Sequence, residues 1–171
     1  LSFSRKNLNT LKYIFIFLIA PLFFSSCNSN IKQPMPQTVS YALRLKPGAD
    51  LKKSITDFVK KNNIEAGWIA SCAGSLTHYA IRFANMPGIS TGDGHFEIVS
   101  LSGTVSENGS HLHIAISDST GYTIGGHLSD SSIVYTTAEI IIQQATNLVF
   151  TREKDGSTEW EELQIKNKEK K

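Results

Sequence analysis

All five histidines of this chain fall between residues 78 and 127, and three of them are spaced in a way that can do chemistry. His111 and His113 stand two apart, so on an extended strand their side chains leave the same face. His127 follows Gly125-Gly126, and a hairpin turning near Thr120-Gly121 brings it back beside the pair. Three imidazoles converging on one point form an open His₃ site of the zinc type, with a position left for water or substrate. Zn2+ is the expected ion, and nickel, copper and iron also accept imidazole. The two glycines permit close backbone approach just before the third ligand. An H-x-H pair also arises in strands by chance, so the competing reading is three hydrogen-bonded histidines in an interface, with no metal.

The carboxylates that could assist are Glu97 and Glu139. Each stands in an apolar run, where an unpaired buried charge would be costly. Glu139, among Ala138, Ile140, Ile141 and Ile142, is expected to need a partner such as Arg82, a histidine or a metal-bound water. On the functional reading it is the catalytic candidate, orienting a ligand or acting as general base. On the plainer reading it is an ion pair or faces solvent, and Glu97 reads the same way. Ser117, Asp118 and the histidines include the residue types of a hydrolase triad, but no G-x-S-x-G elbow accompanies them. His78 and His95 read as surface or neighbouring histidines. Cys72, in the run Trp68-Ile69-Ala70-Ser71-Cys72-Ala73, reads as a small buried hydrophobe.

The elements that must position these residues are mostly strands. Val39–Leu45 alternates, and Pro47-Gly48 turns the chain. Leu51, Ile55, Phe58 and Val59 then recur at helical spacing, predicting a helix from a cap at Asp50 to about Asn62. Strands are predicted near 67–73, 76–84, 95–104, 110–117, 122–127, 133–143, 146–152 and 158–165. Turns are read at Pro87-Gly88, Gly92-Asp93-Gly94, Asn108-Gly109 and Asp155-Gly156. Asn108-Gly109 is a strong hairpin signal. The fold class is α+β: a central, mostly antiparallel sheet with one or two helices.

The chain has 171 residues, 40% hydrophobic and 19% charged, the size and composition of one globular domain. Residues 1–26 read as a signal peptide: Arg5, Lys6 and Lys12 precede the 12-residue apolar run Tyr13–Phe24, which is short for a membrane span. Phe24-Ser25-Ser26-Cys27 resembles the lipobox of bacterial lipoproteins, with Phe24 where leucine is usual. Acylation of Cys27 would anchor the protein in the cell envelope, facing the periplasm or the exterior. Residues 27–37 read as a polar tether, 38–166 as the domain and 167–171 as a charged tail. Without residues 1–26, the 17 basic residues fall to 14 against 15 acidic ones. A mature chain near −1 has little drive to bind a phosphate backbone.

The run Gly94-His95-Phe96-Glu97-Ile98-Val99-Ser100-Leu101-Ser102-Gly103 closely resembles a G-R-F-E-I-L-S-L-S-G stretch of the plants-and-prokaryotes conserved (PPC) domain. His111–Asp118, Gly125-Gly126-His127-Leu128 and Thr136–Ile140 resemble its later stretches, in order, so the resemblance covers about 40 to 165. It implies a PPC-like fold, a homotrimer, and structural roles for Gly94, Phe96, Glu97, Gly125 and Gly126. The H-x-H pair with a further histidine is also similar to the zinc site of acetolactate decarboxylase, a distant fold relative. Plant members accompany AT-hooks, and bacterial relatives are often labelled DNA-binding. Here no AT-hook core is present, and His95 replaces an always-charged arginine. The reading reached is an exported, trimeric module with a three-histidine metal site that binds an unidentified small molecule. A zinc-dependent hydrolase or lyase is the alternative, and DNA binding applies if the chain is not exported.

Overall fold

The structure is a computed structural model that describes residues 37–169. Residues 1–26, the lipidation candidate Cys27 and the tether up to residue 36 lie outside the described residues.

In chain order the elements are β1 (Thr38–Leu45), α1 (Leu51–Lys61), β2 (Gly67–Arg82), β3 (Ser90–Ser106), β4 (Gly109–Ser117), β5 (Thr123–Leu128), β6 (Ile133–Ala145), β7 (Leu148–Glu153) and β8 (Glu162–Asn167). Six strands form one antiparallel sheet in the order β1-β6-β2-β3-β4-β5, and β7 and β8 make a separate hairpin. β5 pairs with the far end of β2 as well as with β4. Strands β2 to β5 therefore curl round and close on themselves at that end. β6 and β5 take successive lengths of the same β2 edge, since Leu76 pairs Val134 while Arg82 pairs His127.

The helix forms where its spacing predicts. Leu51, Ile55 and Val59 are buried on one face, and the Asp50 carboxylate accepts from the Lys53 backbone N–H at 2.9 Å. Its other oxygen accepts from the Ser131 N–H at 2.7 Å, tying the helix start to the β5–β6 turn. Under the helix lies a core of Ile64, Leu76, Ile81, Ile98, Val105, Ile116, Val134 and Ile140 with their neighbours. Each such side chain contributes about 1.5–3 kcal/mol on burial.

Three local expectations are corrected. The two strands expected at 67–73 and 76–84 are one long strand, whose Gly74–His78 stretch holds register shifts rather than a break. Gly92-Asp93-Gly94 is not a turn but lies inside β3, with Asp93 opposite His78 and its carboxylate 2.7 Å from the His78 Nδ1. The last strand starts at Glu162 instead of 158. One α-helix is present among the described residues.

Candidate metal centre

Burial on the inner face of β4 and β5 fixes where the histidines point. Leu112, Ile114, Ile116 and Leu128 are buried, so the residues that alternate with them must face outward. A one-residue slip would bury the imidazoles and expose the leucines and isoleucines, which holds the register firmly. His113 is directly opposite His127, and His127 is directly opposite Arg82. On the other side His113 faces Ser102, and His111 faces Thr104. A single row, Ser102–His113–His127–Arg82, thus crosses four strands on one face, with His111 next to it on β4.

Two glycines let the backbones approach closely enough for this. A Cβ at Gly103, whose φ is +133°, would meet the His111 carbonyl oxygen at 1.9 Å. A Cβ at Gly126 would meet the Arg82 carbonyl oxygen at 2.5 Å. The role expected for Gly125-Gly126 is therefore packing of β5 between β4 and β2.

The three imidazoles meet. His113 Nε2 lies 3.1 Å from His111 Nε2 and 3.2 Å from His127 Nδ1. One ring nitrogen from each histidine falls within 4.8 Å of the others. Three nitrogens around a tetrahedral zinc at its normal bond length stand roughly 3.3 Å apart, so the set fits the ion with a small closing motion. His111 and His127 stack at 4.9 Å, and His113 is nearly perpendicular to both. Burial, then the neighbouring His113 and Arg152, hold the His111 pKa below the ordinary histidine range, Glu162 partly opposing. Burial, then Arg82, does the same to His127. Both shifts favour the neutral imidazole, the form that ligates a metal.

His111 and His127 open onto a groove of about 750 Å³ whose lining includes Arg82, Arg152, Trp160 and Glu162, and His113 lines an adjoining hollow with His111, Arg152 and Glu162. Arg152, Trp160 and Glu162 come from the β7–β8 hairpin and its connection. That hairpin is docked by buried Phe150, whose N–H donates to the Glu65 carbonyl at 2.9 Å. Asn108 Nδ2 donates to the Phe150 carbonyl at 3.0 Å, and Arg152 Nη2 donates to Thr104 Oγ1 at 2.9 Å. Sequence reasoning did not place these residues at the site. Nothing in the sequence states where a terminal hairpin will fold back.

The other candidates lie elsewhere. Glu139 is exposed on β6, opposite Arg44 and Ala73, and lines a different hollow together with Cys72. Its proposed partner Arg82 stands in the histidine row instead. Glu97 is exposed between Ser75 and Ser117. The burial cost expected for both carboxylates does not arise, because the alternation of their strands turns them outward. Phe96 packs edge-on to Tyr79 at 5.1 Å. His78 pairs with Asp93, and the His95 ring lies 4.2 Å from that of Tyr135. Burial pushes the Cys72 thiol up to about 11.

Residues 33–146 match the family described as the Plants and Prokaryotes Conserved (PCC) domain, also written PPC, and the chain belongs to that family. A hypothetical protein from Salmonella is 39% identical, with 77% of this chain and 96% of that one aligned at a TM-score of 0.76. A protein from Archaeoglobus fulgidus, described as metal-containing, is 26% identical over 72% of this chain and 91% of its own, with a TM-score of 0.62. Among curated proteins, a bifunctional protein GlmU from Synechococcus is 38% identical over 135 residues. The chain spans about a fifth of that relative's length, 21% against 78% of its own.

Proposed function

We propose that this chain is a metal-dependent ligand-binding module of the PPC family, with His111, His113 and His127 holding one transition-metal ion, zinc by ligand type. The observation that carries this reading is the convergence of three outward-facing ring nitrogens within 4.8 Å. The metal-containing Archaeoglobus relative supports it. Zinc in such a site supplies an open coordination position that binds a small molecule's oxygen or activates a water. In the same reading the module is a homotrimer and is carried on the cell envelope through Cys27.

A zinc-dependent hydrolase or lyase is the second reading, favoured by the groove onto which His111 and His127 open. Within one chain, the carboxylates that line the groove with them are Glu159, Glu161 and Glu162 rather than Glu139. Glu139 could assist only if a neighbouring subunit brought it to the groove. The similarity to acetolactate decarboxylase belongs to this second reading.

The test is zinc titration of the chelator-stripped full chain, followed by its thermal midpoint. Zinc at about a hundred times its dissociation constant adds about 2.7 kcal/mol to stability. That raises the midpoint of wild type by several degrees and leaves the triple change of His111, His113 and His127 to Ala unmoved. No zinc-induced shift in wild type, or an equal shift in the two proteins, would overturn the reading. Sedimentation of the same samples at three times the chain mass is the result expected for the trimer.

A further inference from the structure

The groove beside the histidines is walled by two guanidinium groups that use little of their bonding capacity. Arg82 projects from β2 directly opposite His127, so its side chain starts on the same face as the imidazole. Arg152 reaches in from β7 and lines the groove beside His111. Its Nη2 is bonded to Thr104, and Arg82 lies 6.0 Å from the Trp160 ring. Among the described residues neither arginine is ion-paired to a carboxylate. This holds although Glu159, Glu161 and Glu162 also line the groove. Unpaired arginines in a half-covered hollow present planar N–H forks suited to an incoming oxyanion.

We propose that this groove binds a small oxyanion, a carboxylate or a phosphate monoester, whose charge is taken by Arg82 and Arg152 while one oxygen faces the three imidazoles. The proposal rests on the metal reading above and names the ligand class of that site. Trp160, exposed at the groove's rim over Arg82, covers the bound anion from the solvent side. Arg152, Trp160 and Glu162 lie beyond residues 33–146, the stretch matched to the family. The ligand preference is therefore set jointly by the family sheet, through Arg82, and by the C-terminal hairpin.

The experiment loads the full chain with Co2+ and titrates it with pyruvate and, separately, with inorganic phosphate. Binding is read from the cobalt absorption band and from tryptophan fluorescence. At least one anion binds wild type, and the one that binds more tightly tells carboxylate from phosphate. Arg82→Ala and Arg152→Ala each weaken that binding by about tenfold or more, as loss of a charged hydrogen bond requires, with cobalt content unchanged. Arg152→Lys restores only part of it, because an ammonium lacks the fork. No response to either anion in cobalt-loaded wild type, or equal affinity in wild type and both alanine variants, overturns this proposal and leaves the metal site standing. Failure of wild type to take up cobalt overturns the metal reading and this proposal together.

Discussion

Two patches on the outer surface of this sheet were built by the same rule and ended with different chemical potential. On β4 and β5, alternation against a buried aliphatic row turns His111, His113 and His127 outward, and cross-strand register brings their nitrogens together. On β3 and β6, the same alternation turns Glu97 and Glu139 outward, but Glu97 ends between Ser75 and Ser117 and Glu139 between Arg44 and Ala73, with no second carboxylate or histidine opposite either. Outward projection is a property of any half-buried strand. Convergence needs register as well, and here register is supported by glycines that let four backbones close up.

The largest effect expected is on the foundation that the histidine patch stands on. Leu112→Ala removes a buried side chain between His111 and His113 and should cost about 2–5 kcal/mol in chemical unfolding. A loss below about 1 kcal/mol would show that the inner face does not hold the register. Next, His127→Ala alone should lower zinc affinity at least a hundredfold in competition with a chromophoric chelator. Retained affinity would mean that the pair on β4 finds its third ligand elsewhere.

The second patch supplies the smaller contrasts. Cys72 and Glu139 line the same hollow, and with its pKa near 11 against an ordinary 9.0 the thiol should react with a disulfide reagent at pH 8 about tenfold more slowly than a free thiol. The folded state holds this proton more tightly than the unfolded chain. The associated stability is therefore complete below pH 9 and is lost as pH rises toward 11. Rapid labelling at pH 8 would contradict the burial. Glu139→Gln and Glu97→Gln should change stability by no more than about 0.5 kcal/mol and leave zinc affinity unaltered in an isolated chain. A loss of zinc affinity on either change would merge the two patches and point to a site completed between subunits.

Much of this site was legible because strand alternation is local. The sequence places His111 and His113 on one face, and the Thr120-Gly121 turn predicts the return of His127. The helix was legible from Asp50, Leu51, Ile55 and Val59 for the same reason. Glu139 is a candidate from sequence because its apolar neighbours suggest burial, whereas the burial of Ala138, Ile140 and Ile142 against the core shows that Glu139, alternating with them, faces outward. Gly92-Asp93-Gly94 has turn composition, yet the cross-strand pairing of Asp93 with His78 makes it strand. Arg82 and Arg152 were out of reach because one depends on the closure of β5 onto β2 and the other on the docking of a hairpin. Both are long-range events with no local signature.

The most direct test of the account is elemental analysis of the purified full chain beside its triple variant, His111, His113 and His127 to Ala, with both first confirmed as folded. Near one equivalent of zinc or another imidazole-preferring metal per chain in wild type, and none in the variant, is the predicted result. Metal absent from both after zinc is added back, or retained equally by both, would contradict it and leave the three histidines as hydrogen-bonded partners of one another.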